Sequence, residues 1–583
     1  MATEEVAANI NISNENGFIA FFRSMPKCDD EVVRLFNRGD FHSIHGDQAV
    51  MVANNFLNTS QALRSIGPEG NKLYSVAISQ SRFDSFIRFL LVDNNYRLEI
   101  YKKPSGKNQS EYNWFLDLKA SPGCLGQLEE LLYNVNVSSA LNQNIAAINL
   151  DSDSKVHFAL ISVTDCTIYV GSFDDNSSYT LLESLLVRLN PKECLIPHNM
   201  NMDRIKMMLR KNNILFSKYD DSSSINSSDE SESMISKLLK NEYKMTLSTI
   251  LQESRNILVP IQALVNYLDL MKDRFCYSNY HLKLIESETF VRLDLSSISN
   301  LHLFPKNRSQ KEIHSLFQVL NHCKTISGQK LLDSFIRQPL TDLAAIEQRL
   351  DNVEFFRNNL IITSAFYEHF LAKIPDITKV YKKLTNGRCK LKDLYQVYCV
   401  VEELPMMINT FEEKSIPSSI RETIFDIIKE VHEKLEPFKR LALKWIDFSR
   451  YNESKELWIN SNIDDDLKKF KSKIDKLYDA SKKELEFVRQ DLYRSFDVDK
   501  EKVKLEEDKF GFYFRITKKC SNAVFQSKKY KEIRSTTKDS KFFSKNLNDI
   551  NEEFIEYIGK YNELQQVYIE KFVEQARQYM DQF

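Results

Sequence analysis

The sequence contains few residues of the kinds that break or cross-link regular structure. Only 13 glycines and 13 prolines occur in 583 residues, which excludes a collagen-like or low-complexity protein. The nine cysteines stand singly, with no Cys-x-x-Cys pair and no Cys/His cluster at zinc-finger spacing. An odd number of cysteines, scattered singly along the chain, is typical of a reduced protein of the cytosol or nucleus.

Long apolar runs are also missing from the sequence. No stretch approaches the roughly 18 apolar residues that a membrane-spanning helix needs. The first residues, MATEEVAANINISNENG, lack the charged-then-apolar order of a signal peptide. We therefore expect no membrane partner. The net charge is only −2, so a nucleic-acid partner can be predicted from local charge clusters alone.

The residues needed for the common catalytic chemistries are absent as well. No GxxxxGK[ST] loop occurs, and the nearest match, at 67–72, has the wrong spacing and no Ser or Thr after its lysine. A two-metal nuclease needs several converging carboxylates, whereas Asp165 stands alone on its predicted strand. His42 and His45 lack a third metal ligand. We expect no cofactor, no metal and no enzymatic activity in this chain.

The first half of the sequence has the pattern of mixed α/β domains. Apolar/polar alternation predicts strands at 72–79, 96–103 and 116–120, with a helix at 81–91. The segment NRGDFHSIHG, residues 37–46, is predicted to be loop-rich. A β-rich double run at 156–170, a helix at 179–189 and a strand at 191–197 predict a second sheet covered by helices. The polar, acidic residues 217–234 are interpreted as a disordered surface loop.

From about residue 292 the sequence has helical periodicity. Apolar residues at three- and four-residue spacing predict two long helices that pack along a coiled-coil-like seam, over 467–492 and 547–568. Between them, residues 510–517 predict a strand. Residues 500–545 contain 14 Lys or Arg against 6 Asp or Glu, a local charge of +8. Clustered cations of this kind favour a contact with phosphates, the alternative being a solvated lysine-rich surface.

Several segments in collinear order resemble the MutS family of DNA mismatch-repair proteins, and within it the eukaryotic branch of MutS homologue 2. They include RLFNRGDFHSIHG at 34–46, GPEG at 67–70, KASPG at 119–123, NHCKTISGQKLL at 321–332, RQPL at 337–340, IEQRLDNVEFF at 346–356 and GFYFRIT at 511–517.

The resemblance implies a multidomain protein of α+β and all-α parts. Its N-terminal mixed α/β domain would be a mismatch-binding-like domain, followed by an RNase-H-like connector and a long helical lever into which a β-rich clamp is inserted. The implied ranges are 1–121 for the first domain, 122–291 for the connector, 292–450 and 544–583 for the lever, and 451–543 for the clamp. The chain would be truncated before the ATPase domain, and ATP and Mg²⁺ are expected only with that domain.

The resemblance also implies which residues contact DNA. In members that recognise a mispair, a Phe-x-Glu motif inserts the Phe beside the mispaired base and the Glu bonds to it. Here Phe41 stands at the Phe position, but Ser43 replaces the Glu. This departure favours the non-reading subunit, which does not itself recognise the mispair. The predicted DNA-binding residues are Arg34, Arg38, Phe41, His42 and Ser43 in the first domain, and Lys518, Lys519, Lys528, Lys529, Lys531, Arg534, Lys538 and Lys541 in the clamp.

The implied partners follow from the family. We expect double-stranded DNA with mismatches or small loops, a second MutS-homologue subunit of the homologue 6 or 3 type, and MutL-type proteins, in the nucleus. The alternative function is a structural helical scaffold for protein partners without specific DNA recognition.

Overall fold

The structure is a computed structural model. The chain divides into two compact units, residues 1–358 and 359–583. The described residues are 12–27, 29, 31–67, 72–103, 114–128, 143–151, 155–198, 202–219, 228–272, 276–285, 290–305, 313–385, 387–412, 416–448, 457–496, 498–508, 511–518, 529–535 and 539–582.

The first unit begins with a six-stranded sheet in the order β3-β4-β2-β1-β5-β6. β1 and β5 are parallel and the other neighbours are antiparallel. Helices α2 and α3 pack on one face of the sheet and α1 on the other. The elements are α1 Ile12–Ser24, β1 Val32–Asn37, β2 Phe41–His45, α2 Asp47–Asn55, β3 Arg64–Ile66, β4 Leu73–Ser79, α3 Gln80–Arg88, β5 Arg97–Lys102 and β6 Phe115–Ala120.

A second six-stranded sheet follows in the order β11-β10-β7-β8-β9-β12. Strands β7, β8 and β9 form an antiparallel meander. β10 pairs in parallel with β7, and β11 pairs in parallel with β10, as in RNase-H-like domains. Both faces are covered by helices, so the central strands are apolar on both sides. The elements are β7 Asn144–Leu150, β8 Lys155–Ser162, β9 Thr167–Asp174, α4 Thr180–Leu189, β10 Glu193–Pro197, α5 Asp203–Lys211, β11 Leu215–Tyr219, α6 Ser228–Leu238, α7 Lys244–Glu253, α8 Leu258–Tyr267 and β12 His281–Leu284.

A fully buried carboxylate joins these two sheets. Glu193, at the start of β10, accepts hydrogen bonds from Arg97 Nε of β5 at 3.1 Å, from Ser121 Oγ at 2.5 Å and from Tyr267 Oη at 3.2 Å. The same Arg97 donates to the Phe216 carbonyl. Burial, and then the charge of Glu193, raises the pKa of Tyr267. Since a buried charge is tolerated only when paired and hydrogen-bonded, this cluster holds the two domains together.

The first unit ends in helices, and helices predominate in the second unit. The first unit ends with α9 Leu295–Asn300, α10 Leu316–Leu320, α11 Ile326–Arg337 and α12 Leu343–Asn358. The second unit contains α13 Leu360–Ser364, α14 Ile377–Thr385, α15 Leu391–Glu412, α16 Ser418–Ile420, α17 Asp426–Trp445, α18 Asp465–Phe496 and α19 Lys545–Ala576. α18 and α19 are the two predicted long helices, and their buried residues include the predicted seam positions Leu467, Ile474, Leu547 and Phe554.

A four-stranded antiparallel sheet connects α18 to α19, and we call it the clamp sheet. Its strands are β13 Lys504–Asp508, β14 Gly511–Thr517, β15 Tyr530–Ser535 and β16 Asp539–Ser544, in the order β13-β14-β16-β15. Ser544 caps α19 by accepting from the Leu547 N–H and also donates to Glu484 of α18. The sheet is therefore tied to both helices at its base.

Two predictions about irregular segments were wrong. Residues 37–46 are not loop-rich, because β1 and β2 form a hairpin there, closed by the Arg38 N–H bond to the Phe41 carbonyl. The predicted disordered loop at 217–234 is shorter than expected. Residues 217–219 pair with β10 at the edge of the second sheet, and 228–234 lie in α6. Residues 220–227 lie outside the described residues.

The Glu193 cluster leads to a stability prediction. Arg97→Met leaves a buried carboxylate without its cation, so we expect a loss of about 3–5 kcal/mol. Arg97→Met combined with Glu193→Gln should recover part of that loss, because the buried charge is gone. Urea unfolding followed by pulse proteolysis measures the free energy of unfolding of both variants. Arg88→Met is the matched control, since the Arg88 and Asp93 side chains are 3.8 Å apart and 42% and 39% exposed, and it should cost less than about 1 kcal/mol. Equal losses at the two sites would contradict the prediction.

Candidate nucleic-acid interface

The predicted mismatch-recognition segment is the β1–β2 hairpin. Its turn places Gly39 at a φ of +96°, a value that favours glycine, and the Gly39 N–H donates to Asn37 Oδ1 at 2.8 Å. Phe41 begins β2 and is half-buried, so part of its ring is accessible. Phe41, the residue predicted to insert beside a base, thus lies partly exposed at the end of this hairpin.

The alternation of β2 places the neighbours of Phe41 in the interior. His42 points to the α3 side, where its ring stacks on Phe83 at 4.1 Å between centroids. Ser43 points to the opposite side and is 2% exposed. Its hydroxyl lies 3.2 Å from Arg38 Nε and 3.0 Å from His45 Nε2. Both side chains are buried, so neither His42 nor Ser43 offers a surface to DNA in this structure.

The two predicted arginines of this segment also have internal partners. Arg34 is 9% exposed and donates to Glu99 and to the Pro26 carbonyl, so it offers little surface to a partner. Arg38 is half-buried, and its guanidinium lies 4.3 Å from the Phe18 ring and 4.8 Å from the Trp114 ring. Of the five predicted residues in this domain, only Phe41 and Arg38 therefore have accessible surface for a partner.

Burial controls the electrostatics beneath the hairpin. Burial, with the nearby charge of Arg38 as the smaller cause, lowers the pKa of His45 to about 3. Burial also lowers the pKa of Arg38 to about 10. His45 is thus neutral at physiological pH, and the Ser43 hydroxyl can accept from Arg38 while it donates to His45 Nε2.

Sequence reasoning missed the residues that cover this face of the sheet. Phe18 of α1 and Trp114 form an aromatic cluster with Phe36, at centroid distances of 5.1–5.9 Å. The apolar run FIAFF at 18–22 was the available signal for this helix. Nothing in the local sequence indicated which face of the sheet it would cover, because that contact is made between residues distant in the chain.

The clamp sheet has one buried and one solvent-facing side. Phe512, Phe514 and Phe542 are at most 2% exposed, and the Phe512 ring packs on Tyr478 of α18 and Phe554 of α19. Asn551 of α19 receives the Phe512 N–H and donates to the Phe512 carbonyl. Since side chains alternate along a strand, the residues between these aromatics face away from the helices.

Basic residues line up across the solvent-facing side. Lys504 pairs with Arg515, Arg515 with Lys541, and Lys541 with Arg534, so one row of basic positions crosses all four strands. Strands lie about 4.8 Å apart, which gives the row a length of about 14 Å. Like charges directly opposite each other destabilise a sheet, so this row indicates a binding role. Lys504 and Arg515 were missed because only strand register brings them together.

Acidic and aromatic neighbours compensate part of this charge. Arg515 lies 3.0 Å from Glu506 and 3.7 Å from Asp539, and Lys541 lies 3.8 Å from the centre of the Tyr513 ring. Arg515 is nevertheless 37% exposed in its side chain, and Lys504 is exposed. The row keeps a net positive charge that an incoming anion can neutralise.

The remaining clamp candidates fall into different settings. Lys529 pairs with Asp491 of α18 at 3.3 Å, and Tyr530 donates to the same carboxylate at 2.6 Å. The Tyr530 bond is the main cause that lowers the pKa of Asp491. Lys531 is exposed on β15, and Lys518 follows β14. Lys519, Lys528 and Lys538 lie outside the described residues, as does the side chain of Arg534.

The connector does not present a metal site in the described part of the chain. Asp165 accepts a bond from Ser162 Oγ at 3.0 Å. No group of three His, Cys, Asp or Glu side chains suited to a metal ion occurs among the described residues. Within the same residues, no helix combines the length and the apolar character needed to cross a bilayer.

Comparison with family models assigns most of the chain to three consecutive domains. Residues 16–129 match the model of MutS domain I, residues 143–286 that of MutS domain II, and residues 296–583 that of MutS domain III. The hairpin lies in the first match and the clamp sheet in the third.

The chain is also similar to curated proteins along nearly its whole length. It is 28% identical to the DNA mismatch repair protein msh-2 of Neurospora crassa, over 98% of this chain and 61% of the relative. It is 28% identical to the DNA mismatch repair protein MSH2 of Saccharomyces cerevisiae, over 92% of this chain and 58% of the relative. It is 26% identical to the DNA mismatch repair protein spellchecker 1 of Drosophila melanogaster, over 98% of this chain and 63% of the relative. The chain thus spans about three-fifths of these relatives' length.

The buried histidine beneath the hairpin leads to a prediction about pH. The pKa of His45 is lowered to about 3 in the folded protein from an ordinary value of 6.5. Its contribution to stability is therefore fully present above pH 6.5 and is lost as the pH falls from there toward 3, because the unfolded chain binds the proton first. The slope is about 1.4 kcal/mol per pH unit. Pulse proteolysis measures the free energy of unfolding of the first domain. Between pH 6 and 4 this free energy should fall less in His45→Gln than in the wild type. An unchanged slope would contradict the assignment.

Proposed function

Because the chain belongs to the MutS family, whose domain I, II and III models match it in order, we propose that it is a DNA mismatch-repair subunit. In this proposal the chain binds duplex DNA around mispairs or small loops. Its clamp sheet holds the phosphate backbone, and its hairpin presents Phe41 to the duplex.

The row of basic residues on the clamp sheet carries this proposal. Lys504, Arg515 and Lys541 lie in direct register on the face that the aromatic residues leave open. Cations placed along a duplex displace condensed counterions from the phosphates, and this gain does not depend on base sequence. Phosphate contacts position a protein without specifying bases. A subunit that must accept a mispair in any sequence context needs this kind of contact.

The hairpin supports the role of the non-reading partner in a heterodimer. Ser43 is a short neutral side chain, and its burial at 2% exposure keeps it from a base. A second MutS-homologue subunit of the homologue 6 or 3 type would then supply the recognising Phe-x-Glu. We further propose MutL-type proteins as partners and the nucleus as the location. ATP and Mg²⁺ would act only through an ATPase domain, which is not among the three matched domains.

The first prediction of this proposal concerns the basic row. Changing Lys504, Arg515 and Lys541 together to Gln should weaken duplex binding about tenfold or more, since each exposed ion pair contributes up to about 1 kcal/mol. The slope of log affinity against log salt should fall by about 0.9 for each phosphate that the variant no longer binds. A salt titration of fluorescently labelled duplex measures both quantities.

The matched control removes the same charge from another part of the same unit. Lys429, Lys434 and Arg440 are exposed on α17, and changing all three to Gln should leave affinity and slope near the wild-type values. Equal effects of the two triple variants would contradict the clamp assignment. Duplex binding that is absent even in the wild type would instead favour the helical scaffold.

A second prediction concerns mispair recognition. Without a bonding neighbour for the displaced base, a Phe alone lacks about 0.5–3 kcal/mol of discrimination. The chain alone should therefore bind a G·T duplex and a matched duplex with similar affinity. In a heterodimer, Phe41→Ala should change mispair preference far less than the corresponding change in the partner. Competition titrations test both statements, and a strong G·T preference of this chain that Phe41→Ala abolishes would disprove the non-reading role.

A further inference from the structure

A cavity of about 480 Å³ lies in the first unit, between the second sheet and the helices α10 and α11. One wall comes from β9, from the C-terminal end of α4 and from the residues that follow it. The other wall comes from α10, α11 and residues 304–305. Cavities that hold small molecules have volumes of about 300–1,000 Å³. The size of this cavity therefore suits a small molecule rather than a folded partner.

Basic side chains outnumber acidic ones in the lining of this cavity. Four basic and two acidic residues contribute, a net charge of +2, namely Arg188, Lys192, Lys330 and Arg337 against Asp165 and Asp333. The Asp333 carboxylate is already paired with Arg337, whose Nε lies 2.8 Å from it. Within the described part of the chain, Lys330 of α11 forms no ion pair. The excess of positive charge favours an anionic ligand.

Two amide oxygens in the lining lack a donor. The Asn144 side chain is oriented by its Nδ2, which donates to the Leu189 carbonyl at 3.1 Å. Its Oδ1 is buried without a hydrogen-bond donor among the described residues, and the same is true of Asn321 Oδ1. A buried acceptor without a donor is unfavourable. Because Asn144 and Asn321 both line the cavity, a ligand that carries hydroxyl or amino groups would satisfy these oxygens.

We infer that this cavity binds a small organic phosphate that also carries hydroxyl or amino donors, either a sugar phosphate or a nucleoside monophosphate. The basic side chains would hold the phosphate, since charge-assisted hydrogen bonds are roughly twice as strong as bonds between neutral groups. The rings of Tyr169 and Phe317 line the same space and offer apolar surface to a sugar or a base. This inference goes beyond the proposed function and does not depend on DNA binding.

Arg337 ties the two walls of the cavity together. Its guanidinium lies 3.9 Å from the Phe304 ring, and its Nη1 donates to the Val187 carbonyl of α4 at 3.4 Å. Because α11 is tied to α4 in the free protein, the cavity needs little rearrangement to bind a ligand. A ligand that contacts both walls stabilises the folded unit once its concentration exceeds Kd.

Isothermal titration calorimetry of the full 583-residue chain tests the ligand class with AMP, ribose 5-phosphate, adenosine and inorganic phosphate. AMP should bind about tenfold or more tightly than adenosine, which lacks the phosphate. Inorganic phosphate should bind more weakly than AMP, because it is too small to reach the amide oxygens as well. Ribose 5-phosphate that binds as tightly as AMP supports a sugar phosphate, and weaker binding supports a nucleotide. Equal affinity for AMP and adenosine, or no binding of AMP and ribose 5-phosphate at millimolar concentration, would overturn the inference.

Variants in the lining test which residues hold the ligand. Lys330→Gln should weaken AMP binding about tenfold, and Lys330→Arg, which keeps the charge, should retain most of the affinity. Asn321→Leu should also weaken AMP binding. It should leave the urea midpoint of the free chain unchanged or higher, because it removes an acceptor that has no donor. Wild-type affinity for AMP in either Lys330→Gln or Asn321→Leu would overturn the inference.

The basic row of the clamp sheet supplies the matched control. Changing Lys504, Arg515 and Lys541 together to Gln removes three cations from the other unit, so the affinity for AMP should stay at the wild-type value. Loss of AMP binding in this triple variant would overturn the inference. Absence of duplex binding by the wild type would instead contradict the proposed function and leave the AMP titrations valid.

Discussion

The clamp sheet can bury only one of its faces, and the placement of its charge follows from that constraint. Asn551 accepts the N–H and donates to the carbonyl of Phe512, which holds β14 against α19. Gly511 has a φ of +100°, and a Cβ there would lie 2.6 Å from Asn551 Oδ1, so no side chain fits at this contact. With the aromatic residues turned toward the helices, the pleat turns Arg515 and Lys541 toward solvent. The basic row is thus a consequence of how the sheet is anchored.

The same alternation has the opposite outcome in the first domain. There α1 and Trp114 cover the sheet face that carries Ser43 and His45, so polar side chains on that face bond to one another. Arg38 supplies the guanidinium, Ser43 connects it to His45, and burial keeps His45 neutral. The clamp sheet exposes its polar side to solvent, while the first sheet buries its polar side beneath the hairpin that carries Phe41. The difference lies in whether a helix from elsewhere in the chain covers the face.

Local periodicity was sufficient to predict the elements whose pattern lies within a short window. The helices α18 and α19, the strands β4, β5 and β14, and the helix α4 follow spacings that depend only on neighbouring residues. Contacts that join distant residues could not be predicted in this way. Arg97 and Glu193 are ordinary charged residues in the sequence, and only the packing of two domains makes them a buried pair. Likewise, Lys504 and Arg515 form a row only through strand register, whereas the predicted residues His42 and Ser43 were buried by helices whose positions the sequence did not indicate.

In the proposed function, the separation of DNA affinity from base recognition would follow from these two sheets. In the proposed function, contacts to phosphate supply binding free energy that is nearly independent of sequence, so the clamp sheet would hold any duplex while bases are tested elsewhere. A hairpin that also bonded strongly to matched bases would slow the search for a mispair, because it would add affinity at every position along the duplex. Phe41 offers an accessible apolar surface, and the Ser43 hydroxyl near it is engaged with Arg38 and His45. An aromatic ring of this kind interacts with any base and favours steps that unstack easily. In the proposed function, the hairpin would therefore add a contact to the duplex without adding a requirement for a particular base.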